Sequence, residues 1–352
     1  MDDIVKEFKE KYWKEIRKKA NVHGFSGKLR PRIAGGKEVP GTKVIRIYVE
    51  RKLPIEHLNK RDIVPRALEI DGNRVETDIV VKPRMKYMDG KCHSRTPAAG
   101  VLENEHQKRY RPIVAGVSCT HRDSTACTLS WFFEKDGKVY VGLNQHCGGL
   151  ENKAKIGDEW LQPSPYDGGK CPEDVAAKLS FYVETKFSSF TCPYRNFFKK
   201  LFKLFKREED VNYVDISFGE PLVPVDYRIL GVDGPIVGKG KHVIGTHVIK
   251  SGRTTGVTEG VIEDDEWNGY VYGARGKAYY EDVVLCRCRC AGGDSGSPVV
   301  TPNPDEPGTY LFLGALFAGS DQGDMIYCKH ENIEREAGVK IITIRMRGDK
   351  SG

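Results

Sequence analysis

From about residue 113 onward the chain is a succession of short apolar segments separated by Gly, Asp and Pro. The segments fall at 129–133, 139–143, 179–184, 213–218, 242–250, 260–263, 270–272, 283–290, 297–300, 310–318 and 339–344. Stretches this short, closely spaced and rich in β-branched and aromatic residues cannot form a helical bundle or an alternating βα fold. They restrict the region to an all-β sandwich or a pair of β-barrels. Two helical patterns interrupt them, at 196–208 and at 329–337. Ahead of this region, Ile4, Val5, Phe8, Tyr12, Trp13 and Ile16 recur at helical spacing among lysines and glutamates, an amphipathic helix that needs a surface to lie on. Strands are expected at 44–49 and 75–81 with a short helix near 55–59, and 83–112 reads as a polar, irregular connector.

With 352 residues the chain is long enough for two or three units, and no apolar run approaches the length of a membrane-spanning helix. Residues 1–111 hold 27 Lys and Arg against 16 Asp and Glu, a balance of +11, whereas 112–352 hold 29 against 33, a balance of −4. The basic excess is therefore N-terminal. It carries neither interleaved aromatics nor a nucleic-acid motif, which argues against nucleic acid as a partner. Gly168-Gly169-Lys170 lacks the spacing and the hydroxyl residue of a phosphate-binding loop. Met1 is followed by a charged stretch rather than a secretion signal, which favours a cytoplasmic location. The ten cysteines and the wealth of Lys, Arg and Glu then lean toward a thermophile, whose cytoplasm tolerates disulfides.

The stretch Gly292-Gly293-Asp294-Ser295-Gly296-Ser297-Pro298 leaves one β segment and enters another. Glycines on both sides of a serine allow a tight turn that exposes Oγ and brings backbone N–H groups near an oxyanion; Gly293 and Ser295 supply the natural pair. By itself such a stretch is more often a plain turn. Two others accompany it. Residues 139–147 form an apolar segment ending at His146-Cys147, and Asp215 sits inside the apolar segment 212–217. A base that takes the serine proton must be a histidine whose tautomer a carboxylate fixes, and a carboxylate among apolar residues needs a partner. The order His, Asp, Ser, at separations of 69 and 80 positions, excludes α/β-hydrolases, which need Ser first, and subtilisin-like enzymes, which need Asp first.

With these elements in this order the chain resembles the trypsin-like serine peptidases over about 113–345. The stretches 154–158, 162–169 and 250–256 and the N-terminal extension are similar to a microbial branch of that superfamily. The resemblance implies a mainly β fold, a chymotrypsin-like double β-barrel with a small N-terminal α/β extension. Residues 1–111 would form the extension and connector, 112–222 the barrel with His146 and Asp215, and 223–352 the barrel with Ser295. It implies a serine endopeptidase acting on proteins or peptides, without cofactor or metal; the alternative is a binding or assembly module of the same fold whose proteolysis is latent or restricted to its own chain. His146, Asp215 and Ser295 would be catalytic, and the Gly293 and Ser295 N–H groups the oxyanion hole. Phe317, Ala318 and Gly319 would pair with substrate. Arg289, six residues before Ser295, would lie near the base of the specificity pocket and favour an acidic side chain, against the simpler reading of a surface arginine. The resemblance also implies a Cys127–Cys147 bridge behind the histidine, and a second bridge from Cys290 or Cys288 to Cys328 behind the serine.

Other features are weaker. Cys92 with Cys119 and Cys171 with Cys192 are pairs suggested by proximity. Cys92-His93 and Cys119-Thr120-His121 match no common zinc spacing. Arg32-Ile33-Ala34-Gly35-Gly36 resembles a trypsin activation site, in which a new N-terminus pairs with the aspartate before the serine. It lies 113 positions ahead of His146, and a plain glycine loop is favoured. The 196–208 segment carries Phe197, Phe198, Leu201, Phe202, Leu204 and Phe205 opposite its lysines. Packing on the protein or on a second copy in a homo-oligomer is favoured there, ahead of a membrane surface.

Overall fold

A computed structural model describes residues 2–87, 104–188 and 210–344. The C-terminal half contains a closed ring of six antiparallel strands. Strand His247–Gly252 pairs with Gly256–Gly273, and that strand with Gly276–Cys288. The ring continues through Asp324–Lys329, Tyr310–Gly319 and Pro298–Pro302 and returns to His247–Gly252. Strand alternation turns Val248, Ile262, Val284, Val299, Leu313, Leu316, Met325 and Tyr327 together into one buried cluster. The strand Gly256–Gly273 is long, and three register shifts against its hairpin partner let it bend away from the ring.

A second set of strands precedes this ring. Phe132–Lys135, Lys138–Leu143, Ser217–Pro221, Val175–Tyr182, Glu159–Leu161 and Thr120–His121 are neighbours in that order. The set closes where Ser118 bridges Thr128, supported by bonds from Cys119 N to Cys127 O and from Leu129 N to Val117 O. Phe132, Val141, Leu143, Trp160, Ala177 and Leu179 share its buried inner face, while Phe133 and Phe218 pack edge to face on the opposite one. The chain's last described strand, Lys340–Ile341, returns to pair with Phe132–Lys135, so the C-terminus fastens the first barrel after completing the second.

The N-terminal helix forms as the apolar spacing predicts, with a π turn at Lys9–Trp13 between α segments Asp3–Phe8 and Lys14–Ile16. Phe8 and Trp13 are five positions apart; the wider turn keeps both on the buried face, where Phe25 meets each ring edge-on or tilted. The strands beneath are Val22–Ser26, Lys37–Val49 and Asn73–Val81. This sheet is continuous with the second barrel, because Val22–Ser26 also pairs with Gly256–Gly273. A buried charge cluster reinforces the junction: Arg30 bonds to Asp264 at 2.5 Å and to Asp265, and Tyr48 donates to Asp264 at 2.5 Å. Gly35 and Gly36, both with positive φ, make the two-residue turn between Arg30–Ala34 and Lys37–Val49, a hairpin and so a plain loop.

Three sequence expectations need correction. Residues 83–112 are not irregular throughout, since Met85–Tyr87 is a strand inserted between two others. It pairs parallel with Val271 and Tyr272 and antiparallel with Ala318 and Gly319. Asp215 is not within a strand; it lies between Val211–Asn212 and Ser217–Pro221. No bridge joins Cys328 to Cys288 or Cys290. Register places Arg287 opposite Asp324 and Val284 opposite Tyr327, so Cys328 lies several residues from either cysteine. Alternation also turns Cys286, Cys288 and Cys290 into the second barrel while Cys328 faces the other way, into the core shared with the first. The 329–337 helix is present as His330–Ala337. The 196–208 helix, with its packing or membrane role, lies outside the described residues, as do Cys92, His93 and Cys192.

Candidate active site

His146 and Asp215 come from the first barrel and Ser295 from the second. Strand Lys138–Leu143 ends at Asn144, which opens the short helix Gln145–Gly148, so His146 stands one turn past the strand end. Asn144 Nδ2 donates to the Asp215 carbonyl at 2.8 Å, and Ser217 Oγ donates to the carbonyls of Leu143 and Asn144, locking the two segments together. The His146 N–H donates to Asp215 Oδ1 at 3.1 Å, and Nδ1 lies 2.9 Å from Oδ2. Because an ionised carboxylate only accepts, Nδ1 carries the proton and Nε2 presents its lone pair. Nε2 lies 2.8 Å from Ser295 Oγ, which must then be the donor. Tyr280 OH adds a longer contact to Asp215 Oδ2 at 3.4 Å. Burial, with Asp215 close by, holds the Tyr87 and Tyr280 hydroxyls well above the usual phenol range, so both stay protonated donors.

The turn that carries Ser295 is fixed from both sides. Gly293 and Gly296 have φ of 97° and 98°, the left-handed region that a side chain opposes. A Cβ at Gly296 would stand 2.0 Å from the Thr128 carbonyl oxygen, so the first barrel packs directly on this turn. Thr128 N donates to Ser295 O at 2.7 Å and Thr128 Oγ1 to Gly293 O at 2.9 Å. Its neighbour Cys127 is bonded to Cys147, the residue after His146. A single short path, Ser295–Thr128–Cys127–Cys147–His146, thus links the serine to the histidine. The N–H groups of Gly293 and Ser295 make no hydrogen bond to another described residue.

Asp294 is fully buried and accepts from Thr254 N, Thr255 N, Thr255 Oγ1 and Ala291 N at 2.7–3.1 Å. Its counter-charge is Lys250, also fully buried, with Nζ 3.4 Å from Oδ2. An internal ammonium occupies the place that a new N-terminus at Ile33 would take, and Ile33 N is bound elsewhere, to Asp78 at 2.9 Å. In sequence Lys250 opened the 250–256 stretch that carried part of the resemblance, with nothing to pair it with Asp294. Arg253 beside it is committed to Asp167 and does not reach Asp294.

Arg289 is exposed, in phase with Arg287, while Cys288 and Cys290 face the barrel interior. Burial pushes the Cys290 thiol up to about 12, and it sits 3.6 Å from the Asp324 carbonyl oxygen. Phe317 and Ala318 are buried, with the Phe317 ring 4.7 Å from Tyr280, and the backbone of Ala318 and Gly319 is paired with Tyr87 and Lys86. The Tyr87 ring lies over the His146 imidazole, centroids 4.7 Å apart, and its hydroxyl is 2.9 Å from that of Tyr280. In the structure Met85, Lys86 and Tyr87 alternate buried, exposed, buried, but three residues are too few for the sequence to signal a strand.

Two closed six-stranded barrels meet at a His-Asp-Ser cluster drawn from both. The fold is a chymotrypsin-like double β-barrel. No family model and no curated protein matches the chain. Solved structures similar to it include Protease A of Thermobifida fusca, with a TM-score of 0.44 and 15% identity, covering 66% of this chain and 99% of that one. A chymotrypsin of Cellulomonas bogoriensis has a TM-score of 0.42 and 16% identity over 66% and 99%. A glutamic acid specific serine protease described as using a histidine triad in substrate binding has a TM-score of 0.42 and 20% identity over 65% and 100%.

Proposed function

We propose that this chymotrypsin-like double barrel is a serine endopeptidase acting on protein or peptide substrates. The observation that carries the reading is the placement of His146 between two oxygens, with Nδ1 2.9 Å from Asp215 and Nε2 2.8 Å from Ser295 Oγ. In this reading Ser295 Oγ attacks the scissile carbonyl and its proton passes to His146 Nε2. Asp215 stabilises the imidazolium that forms, and the oxyanion is met by the N–H groups of Gly293 and Ser295, which are unpartnered among the described residues. His146 then returns the proton to the leaving amine, and water, activated by the same nitrogen, hydrolyses the acyl-enzyme. The Thr128 contacts and the Cys127–Cys147 bridge support this role because a proton relay between barrels needs their separation held to a few tenths of an ångström.

A fluorophosphonate probe tests it. Adduct formation at Ser295, read by peptide mass spectrometry, is expected in the wild type and lost in Ser295→Ala and His146→Ala. An adduct persisting in Ser295→Ala refutes the assignment.

A further inference from the structure

The Met85–Tyr87 strand occupies ground that an extended peptide needs. Strand Tyr310–Gly319 runs beside the nucleophile turn, fixed there by bonds from Gly296 N to Leu316 O and from Leu316 N to Ser297 O. A peptide carbonyl delivered to Ser295 must bring its neighbouring residues past this strand, and the cheapest way to satisfy their backbone groups is to add to its edge. The edge at Ala318 and Gly319 is already taken, by Tyr87 and Lys86 running antiparallel. Tyr87 is 5% exposed and its ring covers the imidazole that must accept the serine proton. Ser295 itself has no solvent exposure.

The segment is held as an inserted piece. On its other edge it pairs with Val271 and Tyr272, and just before it Lys82 binds Asp324 at 2.7 Å and also Glu263. Three residues with two buried side chains make a small docking unit compared with either barrel. Such a unit can open locally without unfolding the rest.

We propose that Met85–Tyr87 is an internal competitor for the substrate edge, so that the described conformation is a latent form of the enzyme. This rests on the serine-peptidase reading above. A substrate binds in proportion to the fraction of molecules in which the segment has left the Ala318–Gly319 edge. The N-terminal extension, continuous with the second barrel through Val22–Ser26, then has a function: it delivers this segment to the cleft and holds it there.

The test compares two probes of one serine in the full-length protein. A small alkyl fluorophosphonate needs no strand pairing, whereas a pool of tripeptidyl diphenyl phosphonates varied at the residue next to phosphorus needs the free edge. In Tyr87→Ala, and separately in Met85→Ala farther from the triad, the ratio of peptidyl to small-probe labelling rate should rise on the order of 100-fold over wild type. Labelling by the small probe certifies a folded site in each variant. A rate ratio unchanged in both variants overturns the proposal while leaving the peptidase reading standing. No labelling by either probe in any of the three proteins instead sinks the peptidase reading.

Discussion

Replacing Lys250 by Met should damage the site more than any surface change, because it leaves the buried Asp294 carboxylate without its cation. Both side chains are fully buried, with Nζ and Oδ2 3.4 Å apart. At an effective dielectric of about 20, unit charges at that distance attract by about 5 kcal/mol. Removing one partner of a buried pair typically costs about 3–5 kcal/mol. Asp294 would still accept from Thr254, Thr255 and Ala291, which places the expected loss nearer the lower end, about 3 kcal/mol. Removing both charges in Lys250→Met/Asp294→Asn eliminates the unpaired ion, so the double variant should be at least about 2 kcal/mol more stable than Lys250→Met alone. Urea unfolding reads this directly by tryptophan fluorescence, since Trp13, Trp131, Trp160 and Trp267 are all buried. Because Asp294 anchors Ala291 N and precedes Ser295, fluorophosphonate labelling should fall in Lys250→Met along with stability. A double variant no more stable than the single one, or a Lys250→Met loss below about 1 kcal/mol, would refute the argument that this lysine neutralises the turn.

Two further outcomes follow from other buried groups. Burial lowers His23 to about 4, and its Nε2 donates to the Lys82 carbonyl at 2.8 Å. Its contribution is whole above the unfolded value near 6.5; as pH falls toward 4 the unfolded chain takes a proton the native one refuses, removing up to about 3 kcal/mol. The stability difference between wild type and His23→Gln should shrink over that window, and a pH-independent difference in urea midpoints would contradict it. Reducing Cys127–Cys147, or replacing both cysteines by Ala, frees a loop of sequence separation 20 and should cost about 3.3 kcal/mol by chain entropy. Labelling of Ser295 should slow as well, since the bridge lies on the path joining Thr128 to His146. Unchanged labelling with the predicted loss of stability would limit the bridge to a purely structural role.

What could be read in the sequence was whatever depends on local periodicity and on residue types with few alternatives. Short apolar segments between Gly, Asp and Pro specified barrels or sandwiches, and the order of His146, Asp215 and Ser295 carried the resemblance on which the proposed chemistry rests. The helix at Asp3–Ile16 was legible because its apolar residues recur on one face, although the π turn that aligns Phe8 with Trp13 was not. The Cys127–Cys147 bridge followed from the resemblance alone.

The tertiary structure decided everything that depends on strand register and on which element fills a gap. One residue of register decides which face a cysteine points to, so Cys288 and Cys290 turned inward while Cys328 turned toward Asp215, and their expected bridge is absent. Asp294, in the turn that carries Ser295, finds Lys250 on strand His247–Gly252, a meeting that a separation of 44 positions in sequence does not reveal. Met85–Tyr87 is too short for periodicity to announce, and its place against Ala318, Gly319 and His146 arises only once the extension joins the second barrel. The sequence by itself determined which side-chain types are available for the proposed chemistry and in what order they come. Only the folded arrangement decided whether the cleft is free, because that depends on which backbone edges remain unpaired.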